Sequence, residues 1–192
     1  MMKSRIWILG WLGAACLAAA LSLPPAGLSA GPPTIGVPDF AADNLPPGVT
    51  DFFPGGAAAD AATVLLQRTA SPQLTVISRK DMAQAQIAVK WRDEDLTNIT
   101  RLAALAKQAG ATYLVIGTVT DLSAAREANT YYLSTARVYA QVFTSAPPRL
   151  ADAQIGSGSA MASYAANAAT AALRQAVEQA VNAARAKMPA NP

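Results

Sequence analysis

One stretch, residues 95–121 (DLTNITRLAALAKQAGATYLVIGTVTD), constrains this chain more than any other. Its first half sets Ile99, Leu102, Ala103 and Ala106 at three- and four-residue spacing and leaves Arg101, Lys107 and Gln108 outside, the pattern of a helix with one buried stripe. Asp95 stands where a carboxylate caps a helix start. Gly110 stands where the helix must stop, because glycine enters the left-handed region without a Cβ clash. Residues 112–119 are short, apolar and rich in β-formers, which predicts a strand buried on both faces. A helix delivered into a central strand through one glycine predicts an α/β layer.

The remaining elements extend that layer. Residues 35–40 (IGVPDF) predict a short strand that Pro38 interrupts, and residues 41–56 a surface loop. A helix is expected over residues 57–69, with Ala58, Ala61, Ala62, Val64 and Leu65 inward, and a strand over residues 74–78. Ser78 with Asp81 three residues on is a capping-box variant that starts a helix over residues 79–89. Residues 122–130 read as a polar turn, residues 131–144 alternate strictly and predict an antiparallel strand, and residues 150–160 supply its partner. A long alanine-rich helix follows over residues 162–187, its stripe formed by Ala165, Ala169, Leu173, Ala176, Ala180 and Ala184. The fold class is therefore α/β (α+β), a mixed sheet of about five strands packed by helices. Alanine buries little area, so the core should be thin and its helix contacts close.

The N-terminus reads as an address. Lys3 and Arg5 precede an apolar run over residues 6–23 and the small residues GLSA, the three parts of a secretory signal over residues 1–30 with cleavage near Ala30. Two alternatives stay open: retention of the apolar run as an anchor, and lipidation of Cys16, which follows Gly13, Ala14 and Ala15 with Leu12 one place early for a lipoprotein box. Each of these exports the domain to the periplasm, free or membrane-held. One domain then occupies residues 31–188, and residues 189–192 form a frayed tail.

Removing Lys3 and Arg5 leaves 13 basic residues against 12 acidic, with no basic patch, which argues against nucleic acid as partner. There is no histidine, and Cys16 is the only cysteine. His-assisted nucleophiles, thiolate catalysis and Cys/His zinc sites are thus excluded from the mature domain, and neither an enzyme nor a cofactor is expected.

A strand ending in PDF, the passage LTVISRKDM, and LAKQAGATYLVIGTVTDL followed by two long strands together resemble the CsgG-type α/β domain of bacterial envelope proteins. The same plan recurs in the LpoB activators of cell-wall synthases and in the N-terminal domain of TolB. The resemblance covers residues 34–160 and implies a non-enzymatic envelope protein that binds other envelope proteins in secretion, surface assembly or cell-wall regulation, a homo-oligomer being compatible with it. The pore-forming hairpins of CsgG have no counterpart in the connection after Asp121, and SAPPR replaces the family's Thr-Gly turn. LpoB-like activation of a synthase is the narrower alternative.

Candidate sites are few. Asp39 and Asp43 follow the first strand at a sheet edge, where a small-ligand sensor or carboxylate hydrolase would need them to converge with a third polar group; turn chemistry, in which Asp bonds its own backbone, is the preferred reading of both. Asp93, Glu94 and Asp95 suit the positive end of a helix better than a cation site. Gly156-Ser157-Gly158 lacks the lysine of a phosphate loop and reads as a bulge or turn. Trp91 with Arg92 carries the residue types of an interface anchor, or a tryptophan covering the break between two helices.

Overall fold

The chain folds around a mixed sheet in the computed structural model, which describes residues 31–43, 53–69, 71–127 and 130–188. In order the elements are β1 (Thr34–Gly36), β2 (Ala41–Ala42), α1 (Pro54–Thr69), β3 (Thr75–Val76), α2 (Arg79–Val89), a 3-10 helix (Asp93–Thr97), α3 (Ile99–Ala109), β4 (Tyr113–Glu127), β5 (Tyr131–Ser145), β6 (Pro148–Leu150), β7 (Gln154–Ala162) and α4 (Ala165–Arg185). The strands run β3-β1-β4-β5-β6, with β2 also on β4 and β7 also on β5. β1, β2 and β3 lie parallel to their neighbours, whereas β4 to β7 form antiparallel ladders. This is the mixed, helix-packed sheet expected from the alternation of patterns, closed by the long alanine-rich helix.

β4 is the central strand, and Tyr113 to Gly117 are buried in succession. Tyr113, Val115 and Val119 join one core with α1 and α4, while Leu114 and Ile116 join a second with Met82, Leu102, Leu105 and Phe143 under α2 and α3. Gly110 ends α3 at φ 65°, as its position requires. Thr34 ties this corner to the sheet, its Oγ1 donating to the Gly110 carbonyl at 2.5 Å and accepting from Thr112 N at 3.0 Å.

Several boundaries differ from the sequence reading, each for an identifiable reason. Asp95 does not cap α3: Asn98 does, accepting from Thr100 N at 3.1 Å and Arg101 N at 3.2 Å, because a 3-10 turn intervenes. Ile99 is consequently exposed, and Leu105 replaces it in the buried stripe. α1 begins at Pro54 rather than residue 57, since proline suits a first helical turn whose N–H has no partner anyway. Its inward residues include Leu66 and Thr63, while Val64 faces out. The loop expected over residues 41–56 already contains β2 and the start of α1; residues 44–52 lie outside the described residues.

The largest correction concerns residues 122–130. They are not a polar turn up to Thr130, for β4 continues to Glu127 and pairs with β5 from Tyr113↔Thr144 to Glu127↔Tyr131 with one irregularity at Val119/Asp121. Leu122 and Ala136 still face α4's core, while Asp121, Ser123 and Thr135 lie on the opposite face, where polar side chains cost nothing. The partner strand of residues 150–160 is split into β6, which turns back through Ala146 and Pro147, and β7. Gly156-Ser157-Gly158 forms neither bulge nor turn, because β7 pairs with β5 residue for residue from Gln154 to Ala162. α4's buried stripe is Ala168, Ala169, Ala172, Leu173, Ala176, Val177, Ala180, Val181 and Ala184, so Ala165 lies outside it.

Candidate functional site

The helices cover the sheet unequally. Along the half of the hairpin nearest α3, both faces are covered; beyond it, among the described residues, α4 packs on one face only. The other face of the outer half carries rows set by strand register: Thr118, Tyr139 and Ile155; Asp121, Arg137 and Ser157; Ser123, Thr135 and Ser159; Ala125, Leu133 and Met161. Its two ends are apolar, with Ile155 57% and Met161 62% exposed, and Tyr131 next to the outer end. Its middle is polar, and the Ser123 and Thr135 hydroxyls bond each other at 2.8 Å. An open hollow of about 570 Å³ runs from that middle to the β7 edge, lined by Asp121, Thr135, Arg137, Ser157 and Ser159 and, at the edge, by Gln175 and Gln179 of α4. Alternate residues of a strand point to opposite faces, so one paired register produces this surface and the alanine-lined core behind it.

The sequence-predicted residues lie elsewhere and are largely committed to structure. Asp39, between β1 and β2, ion-pairs with Arg79, whose guanidinium also donates to Val37 O and to Asp60 Oδ1, each at 2.8 Å. Arg79 thereby fastens the start of α2 to α1 and to the break at Pro38. Asp39 N donates to Gln86 Oε1 at 3.4 Å. Asp43 continues β2's pairing, its N–H donating to Val119 O at 3.1 Å. Ser78 is the cap of α2 as expected, accepting from Asp81 N at 3.1 Å.

Asp93 lies within the field of three other carboxylates. Partial desolvation at this exposed position, then Asp43, Asp39 and Glu94, push its pKa above the ordinary aspartate value. A pKa raised by folding means that the native state binds the proton more tightly, so this contribution weakens stability above the folded pKa and is relieved as pH falls through it. Asp93→Asn is therefore expected to raise the thermal midpoint modestly at pH 7 and to leave it unchanged near pH 3; an equal gain at both pH values would contradict this account. Asp95 behaves oppositely: its bond to Arg101 at 2.9 Å holds its pKa below the ordinary value, and the stabilisation is lost as pH falls through that lowered pKa. Arg101 also caps α2 by donating to Val89 O at 2.8 Å and Lys90 O at 3.0 Å.

Trp91 is half-buried, packs against the second core and has its indole N–H buried without a protein partner among the described residues. It covers the break between α2 and α3. Arg92 is exposed beside it, its backbone N–H donating to Asp95 Oδ2 at 3.1 Å. Cys16 and the segment expected to be a secretory signal, residues 1–30, lie outside the described residues.

Other chemistry finds little footing. Among the described residues no group of three or more His, Cys, Asp or Glu side chains is placed to hold a metal, and no helix is long and apolar enough to cross a membrane. A groove of about 490 Å³ runs between α1 and α4, floored by Ala61, Leu65 and Leu173. Asp60, Arg68, Arg174 and Glu178 line it, so its charges balance and select no ligand sign, and neither Asp39 nor Asp43 reaches it. The uncovered sheet face was missed from sequence because the polar half of β4 was read as a turn. The signal that could have found it was the alternation of Asp121, Ser123 and Ala125 with Leu122 and Ala124.

No protein-family model matches the chain, and no curated protein matches it. Solved structures similar to it include lipoprotein GNA1162 from Neisseria meningitidis, at 17% identity over 68% of this chain and 83% of that one, with a TM-score of 0.49. LpoB from E. coli shows 11% identity over 81% and 82% of the two chains, with a TM-score of 0.47. Protein CT253 from Chlamydia trachomatis shows 10% identity over 81% and 94%, also with a TM-score of 0.47.

Proposed function

We propose that this chain is an exported bacterial envelope protein that catalyses no reaction and works by docking other envelope proteins, in secretion, surface-structure assembly or cell-wall regulation. The observation that carries this reading is the uncovered outer half of the sheet. Large apolar side chains bracket a polar, hollowed middle there, on strands fixed by long ladders, irregular only at Val119/Asp121, and by α4 behind them. A docking surface needs rigid backing, apolar anchors and polar groups that fix orientation, and this face supplies them, with its apolar anchors at the ends and its polar groups between them. The secretory signal and the missing histidine and cysteine chemistry of the mature domain support the same reading from the sequence side.

A photo-crosslinking residue placed at Ile155 or Met161 should give discrete protein adducts in intact cells, while one at the exposed Gln108 of α3 should give none. Ile155→Asp with Met161→Asp should lower those adducts, read from Thr135, at least tenfold with the thermal midpoint unchanged, since both side chains are already in solvent. Adducts formed equally from Gln108, or undiminished in the double variant, would remove this face as the docking surface. Mass measurement of the exported N-terminus, which separates cleavage near Ala30 from lipidation at Cys16, tests the mode of attachment independently.

A further inference from the structure

β7 is an edge strand: it pairs with β5 on one side, and among the described residues no strand lies on the other. Edges of this kind present free N–H and C=O groups to any other strand. Here two of the outward donors are occupied. Ser157 N donates to Gln179 Oε1 and Ser159 N to Gln175 Oε1, each at 3.2 Å, from glutamines one helical turn apart on α4. The match is geometric, since residues i and i+4 of a helix advance about 6 Å while alternate strand residues advance about 6.8 Å. Gly156 and Gly158 permit it, because α4's backbone comes so close that a Cβ on either would run into the carbonyl oxygen of Ala176 or Ala172.

We propose that Gln175 and Gln179 guard the β7 edge and keep a second copy of this chain from adding its own β7 there. The occupant follows from register. Two antiparallel copies centred on Gly158 set Ser157 opposite Ser159 through the outward donors just described, and Ile155 opposite Met161 on the uncovered face. The exposed apolar residues of the edge thus bury each other in that one self-complementary arrangement. The two glutamines stand in its path and take its hydrogen bonds.

Hydrogen exchange of the exported protein tests the guard directly: the Ser157 and Ser159 amides should be protected at least tenfold over unpaired edge amides. In Gln175→Ala/Gln179→Ala both should lose that protection at low concentration, while the Gly158 amide, bonded toward β5, keeps its own. Sedimentation equilibrium should then show self-association at least tenfold tighter than the parent's. Adding Ser159→Pro, which deletes an outward donor and leaves the β5 ladder intact, should return it to the parent value. Gln175→Glu/Gln179→Glu, which keeps both acceptors, should stay protected and unassociated. Unprotected Ser157 and Ser159 amides in the parent would overturn the proposal, as would a double-alanine variant that frees them yet associates no more tightly, or association that survives Ser159→Pro.

Discussion

Alanine in place of Gly158 is expected to cost about 3 kcal/mol, the upper part of the range for overpacking a closed interior. The added Cβ would enter the Ala172 carbonyl oxygen and lie within 2.8 Å of Ala176 N, and backbone cannot rotate aside as a side chain can. Gly156→Ala is expected to cost as much, since its Cβ would meet Ala176 O and Ala180 N on the next turn of α4. For a domain of this length such a loss lowers the thermal midpoint by roughly 10 °C. Gly36→Ala is the control, because the nearest obstacle there is the terminal methyl of Met82, which can move. A midpoint in Gly158→Ala no lower than in Gly36→Ala would mean that α4 is not seated on β7 as closely as its alanines allow. Because both edge glutamines sit on the displaced helix, Gly158→Ala should also expose the Ser157 and Ser159 amides to exchange.

That close seating connects what the sequence states openly with what it conceals. The alanine stripe of residues 162–187 announced a helix that something would approach closely, and Gly156 and Gly158 stood in plain view. Read separately, they suggested a thin core and a turn. Their connection is a register fact: the glycines are two apart on a strand face and the alanines four apart on a helix face, and only the fold lays one on the other. Local signals with one dominant cause were legible, including Ser78 as a cap, Gly110 as a stop and the α3-to-β4 passage. Asn98 was overlooked as a cap because Asp95 competes for the role and takes instead the Arg92 amide and the Arg101 guanidinium. Asp39 reads as a site residue until Arg79, 40 positions away, is placed on it. The uncovered face is only half legible: the alternation of Asp121, Ser123 and Ala125 with Leu122 and Ala124 marks a strand with a polar face, but no local pattern says that a helix fails to cover that face.

Phe143→Ala is expected to cost about 3–5 kcal/mol, the usual range for truncating a fully enclosed phenylalanine. Phe143 is fully buried in the second core, whose other large members are Met82, Leu102, Leu105, Leu114 and Ile116. Its backbone is pinned in register between Leu114 and Leu150, so β5 cannot sink to fill the cavity. Nor can α3 settle freely, because its two ends are held, by the Asn98 cap on one side and by Gly110 with its carbonyl on Thr34 on the other. The cavity term should therefore remain nearly whole. The loss should fall first on the layer of α2 and α3: amide exchange in α3 should accelerate before that in α4, which packs on the opposite face of the sheet. Chemical denaturation and residue-resolved exchange measure the two parts separately. A cost below about 1 kcal/mol would show that this layer collapses onto the vacated space, and simultaneous acceleration of α3 and α4 would show that the two cores are one cooperative unit rather than two joined through β4.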